Sequence, residues 1–88
     1  MTREEIEAIF KKEGLVGWKL VITNSGSCCW YEDKQIWIDR RQLNIAMVLH
    51  EIAHALAKER KKFHTVLWAD EYTKLVHKYC EIKKEMKL

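Results

Sequence analysis

The sequence has no proline, no internal repeat and no low-complexity linker, so nothing in it divides the chain into separate units. At 88 residues there is room for one core and not for a second. Cysteine is scarce and poorly spaced for bridges. Cys28, Cys29 and Cys80 make an odd count with two neighbours adjacent, which argues against a disulfide framework and for reduced thiols. The paired CxxC motifs of a zinc ribbon are also missing. No apolar run approaches the ~20 residues that span a bilayer. The opening MTREEIEAIF lacks a basic-then-apolar signal pattern, so the expected location is the cytoplasm, with no membrane partner. Charge of either sign is far from dominant. The net +3 permits an anionic partner without demanding one. The basic cluster KERKK reads first as a solvated face, and second as a weak DNA contact through Lys58, Arg60, Lys61 and Lys62.

What is present follows two periodicities. Thr2, with Glu5 three residues on, forms a capping box that opens a helix. Ile6, Ile9 and Phe10 mark its apolar face, and Gly14 is its stop. WKLVIT (Trp18 to Thr23) then reads as a strand, NSGS as a turn and CCWY (Cys28 to Tyr31) as a second strand. After the turn EDKQ, Ile36 to Asp39 alternates in the manner of a third. The expectation is a three-stranded antiparallel meander. From Leu43 to about Arg60 the period is helical. After a break near Lys61 to His64 a last helix runs to about Lys84, with Trp68, Tyr72, Leu75, Tyr79, Ile82 and Met86 as its core stripe. The fold class is α+β: a helix, three strands and two helices in one domain over residues 1–88.

Chemistry concentrates in the first of those two helices. In IAMVLHEIAHALA, Ile45 to Ala57, only His50, Glu51 and His54 are polar. On a wheel of ~100° per residue, His50 and His54 lie ~40° apart and Glu51 ~100° from His50. The apolar stripe of Ile45, Leu49, Ile52 and Leu56 points to the opposite side. A helix so apolar is buried on most sides, where ionisable groups without partners cost several kcal/mol. A bound cation removes that difficulty. Histidines at i and i+4 rise ~6 Å along the axis, so both imidazoles can meet one ion, and the glutamate between them reaches the ion's water. H-E-x-x-H on a helix is the spacing of zinc proteases.

A catalytic zinc takes three protein ligands and keeps one position open. The third must come from downstream. His64 is the first choice, because the chain turns back after the break; Glu71 and Asp70, carboxylates of the last helix, are its rivals. His77 reads as a surface residue. Cys28 and Cys29 fit a strand, one thiol inward and one outward, better than a metal site.

The set VLHEIAHAL, the downstream H-x-x-x-W of His64 to Trp68, and the strands ending just before the helix resembles the SprT-like zinc metalloprotease domain. The likeness spans roughly Trp18 to Leu75. It implies a minimal zincin-like fold, one Zn2+ per chain on His50, His54 and His64, and Glu51 as general base. The family usually has glycine after the third histidine, where this chain has Thr65. The implied activity is hydrolysis of peptide bonds in a peptide or unfolded protein. Glu51 would take a proton from the attacking water and pass it to the leaving amine. The substrate is expected to lie extended along a sheet edge, for which the strand Ile36 to Asp39 is the first choice. Tyr72 and Tyr31 are oxyanion-donor candidates, and Trp30, Trp37 and Trp68 can line a pocket, although core packing is the leading role for all five. The competing reading is a zincin-fold binding or regulatory module with a structural zinc and a DNA contact.

Overall fold

A computed structural model of the protein describes residues 1–58 and 64–80. Its first helix, α1 (Arg3–Lys12), starts as its capping box dictates. The Glu5 N–H donates to the Thr2 hydroxyl at 3.1 Å, and the Thr2 N–H donates to the Glu5 carboxylate at 2.8 Å. Glu13 closes the helix, and Gly14 follows in the left-handed region at φ +77, which costs a glycine little. Ile6, Ile9 and Phe10 are buried.

Three strands follow: β1 (Lys19–Thr23), β2 (Cys28–Trp30) and β3 (Gln35–Asp39). They form one sheet in the order β1-β3-β2. β2 pairs antiparallel with β3, but β1 pairs parallel with it, Leu20 against Ile36 and Ile22 against Ile38. The sheet is therefore mixed, and the expected antiparallel meander is corrected. β1 and β2 flank β3 and so stand about 10 Å apart, two strand spacings. The NSGS segment spans that gap at the end of β3 instead of making a hairpin.

Asp39, at that end of β3, is 2% exposed and holds the arch in place. Its carboxylate accepts from the Gly26 N–H at 2.8 Å, and its own N–H donates to the Ser27 hydroxyl at 2.7 Å. Arg41, in the 3-10 turn Arg40–Gln42, donates to both carboxylate oxygens at 2.9 and 2.8 Å. These bonds, from the Arg41 side chain and backbone first, hold the Asp39 carboxyl well below the usual carboxylate range.

The inner face of the sheet carries Leu20, Ile36 and Ile38 into a core completed by α1 and by α2 (Ile45–Ala57), with Val48, Leu49, Ile52, Ala53 and Ala55. The last helix, α3 (Val66–Tyr79), packs on α2 and gives the core one fully buried side chain, Leu75. Its far end is tied to α1. The Lys78 ammonium donates to the Glu13 carboxylate at 2.7 Å, and the Tyr79 hydroxyl donates to the same oxygen. Burial raises the pKa of Glu13, but these two hydrogen bonds outweigh it and hold the carboxyl below its ordinary value. The expected extension of this helix to Lys84, with Ile82 and Met86, lies outside the described residues. Among those residues, no helix is long and apolar enough to cross a membrane.

Candidate metal centre

Asn44 starts α2 by accepting the Met47 N–H on its side chain at 2.9 Å. With the apolar stripe against the sheet, the sector carrying His50 and His54 turns toward α3. Lys58 ends the helix in the left-handed conformation. Thr65 then caps α3, its hydroxyl accepting from the Trp68 N–H at 3.2 Å. Thr65, the residue after His64, is thus a helix N-cap, a place that threonine fills as well as glycine does.

His64 immediately precedes that cap and meets the two helical histidines. One ligand nitrogen from each of His50, His54 and His64 lies within 4.8 Å of the others. The Nε2 atoms of His50 and His64 are 3.2 Å apart. Two imidazole nitrogens at 2.0–2.1 Å from one tetrahedral ion stand about 3.3 Å apart, so this pair already has the spacing of co-ligands. The donor set also fits. Burial first, and the neighbouring His64 second, lower the pKa of His50 and favour the neutral imidazole that binds metal.

Glu51 is 5% exposed, with Oε2 3.9 Å from His50 Nε2. A carboxylate there borders the nitrogen cluster without joining it. Among the described residues no second group of histidine, cysteine and carboxylate side chains comes together in this way. The rival ligands stay apart from it: Glu71 faces Lys74 at 3.8 Å, and Asp70 is exposed. His77 is exposed on α3. The cysteines form no disulfide; Cys29 packs against the core from β2. Of the basic residues assigned to a DNA contact, Lys58 is exposed, and Arg60, Lys61 and Lys62 lie outside the described residues.

Two expectations about the surroundings change. β3 is the central strand and offers no edge; the free edges belong to β1 and β2. Trp30 and Trp37 are not core residues. Both project from the outer sheet face, opposite Ile36 and Ile38, with rings edge-to-face at 5.7 Å, and Trp30 is 37% exposed. Tyr31 meets Trp18 edge-to-face at 5.8 Å. Trp68 and Tyr72 do pack against the core.

The role of Trp68 at the centre went unread in the sequence. Its ring stacks on His64 at 4.3 Å and on Tyr72 at 5.0 Å, and its indole N–H donates to the His50 carbonyl at 3.1 Å. The signal was the i,i+4 spacing of His64 and Trp68, which brings two rings onto one side of a helix start.

Compared with known proteins, the chain matches no family model, no curated protein and no solved structure.

Proposed function

We propose that the protein is a minimal, SprT-like zinc metallopeptidase of zincin-like fold. His50, His54 and His64 would hold one Zn2+, and Glu51 would serve as general base. One arrangement carries this reading: three imidazole nitrogens within 4.8 Å of one another, with a buried carboxylate oxygen 3.9 Å from one of them. When bound, zinc supplies a Lewis acid that polarises a peptide carbonyl and acidifies water. Glu51 takes the proton of the attacking water and returns it to the leaving amine. Its place on the residue after His50 fixes that carboxylate to the same helix turn as the ligands, so little reorganisation is needed.

The substrate is an extended peptide or unfolded protein. Its main chain pairs with the free edge of β2, the edge strand packed against α2. A binding or regulatory module with structural zinc would need the three histidines but not Glu51. The test is cleavage of an unfolded protein by the wild type and Glu51→Gln, with zinc content measured in both. The expected result is one zinc per chain in each and a rate lower by about 10²–10⁴-fold in the variant. Two zinc-loaded but equally inert proteins would reject the enzyme and leave the module.

A further inference from the structure

We infer that Trp68 is a positioning residue for the metal centre, setting the plane and approach of the His64 imidazole relative to α2. This rests on the proposal that the three histidines bind a metal. His50 and His54 are fixed by one helix, whereas His64 precedes α3 and is exposed, so its ring needs another support. Trp68 supplies two contacts at once. Its face stacks on the His64 ring, 28° from parallel at 4.3 Å. Its indole N–H donates to the carbonyl of His50, the group that links a ligand to Glu51, at 3.1 Å.

That carbonyl lies inside α2, but a carbonyl oxygen has two lone pairs and can accept a second donor beside its helical partner. One side chain therefore joins the helix that carries two ligands to the ring that supplies the third. Trp68 is itself held on both sides. The Thr65 hydroxyl accepts its backbone N–H, and the Tyr72 ring stacks on its indole, 9° from parallel. Without this bracket, ordering of the His64 ring falls more heavily on the ion, and the entropy of ordering it is subtracted from the affinity.

The experiment measures zinc affinity by chelator competition for the wild type, Trp68→Phe and Trp68→Leu. The absorption of the Co2+-loaded proteins and the thermal stability of the metal-free ones are recorded alongside. Phenylalanine keeps a ring to stack and loses the N–H; leucine loses both. Trp68→Leu is expected to bind zinc about 10–100-fold more weakly, the usual effect of an outer partner of a metal ligand. Trp68→Phe should fall between it and the wild type, and the Co2+ spectrum should change in both. A purely structural role would lower the melting temperature and leave affinity and spectrum as they are. A folded Trp68→Leu with wild-type affinity overturns the inference. If that variant does not fold, Trp68→Phe decides: wild-type affinity and an unchanged spectrum overturn it. A wild type that binds no zinc overturns instead the metal-centre reading beneath it.

Discussion

The grouping of His50 and His54, with Glu51 beside them, was legible in the sequence because a helix converts spacing directly into direction. Their neighbours Leu49, Ile52 and Ala53 are fully buried, which fixes the face that remains for them. His64 was harder, because its position depends on how two helices pack and not on a local period. On composition a carboxylate from α3 is as sound a candidate, and it is the packing that brings His64, and not Glu71 or Asp70, into the group with His50 and His54. The prediction at this scale is a ranking. His64→Ala should weaken zinc binding by more than the ~10–100-fold that outer partners contribute. Glu71→Ala, which removes a half-buried carboxylate paired with Lys74, should leave affinity close to wild type. Chelator competition on both variants checks this, and the reverse order would move the third ligand to α3.

The elements themselves were legible to within a few residues, since each carries its own signals: the capping box, the turn residues, the alternation of β3, the apolar face of α2. Strand order was not. Asn24 to Ser27 has the composition of a tight turn, and nothing local distinguishes a hairpin from an arch over a third strand. The difference lies in Asp39, which accepts the Gly26 N–H while its own N–H donates to Ser27. The same pairing moved the expected substrate edge from β3 to β2. Asp39 also gives the sheet a pH dependence. Its carboxyl is held below its ordinary value of 3.8 in the folded protein, so the unfolded chain takes up its proton first as pH falls. The stability it contributes is present above that value and is lost progressively below it. Asp39→Asn should therefore melt at a lower temperature than the wild type at pH 7, and the gap should narrow below about pH 4. Thermal melts of both proteins from pH 7 to pH 2.5 test this; a gap constant over the whole range would show that the carboxylate charge does not hold the arch.

At the scale of the molecule, the core is made by α1, α2 and the inner sheet face, while α3 adds a single fully buried side chain among its described residues. Across the α2–α3 contact, the His50 ring also meets those of Trp68 and Tyr72 edge-to-face at 5.0 and 6.3 Å. An ion on His50, His54 and His64 would add a link between α2 and the start of α3, and in a domain this small such a link weighs heavily. Free zinc at 100 times the dissociation constant adds about 2.7 kcal/mol to the folded state. For a domain of this length that corresponds to a rise in Tm of about 10–20 °C. Melts in zinc and in chelator give the size of the effect, and His54→Ala should abolish it. Amide exchange gives its location: chelation should speed exchange in α3 well before β1 and β3, whose pairing and core contacts do not involve the histidines. A melting temperature indifferent to saturating zinc would remove the metal centre, whereas a large shift with exchange rising equally in α3 and the sheet would keep the centre and reject the ion as the link that docks α3.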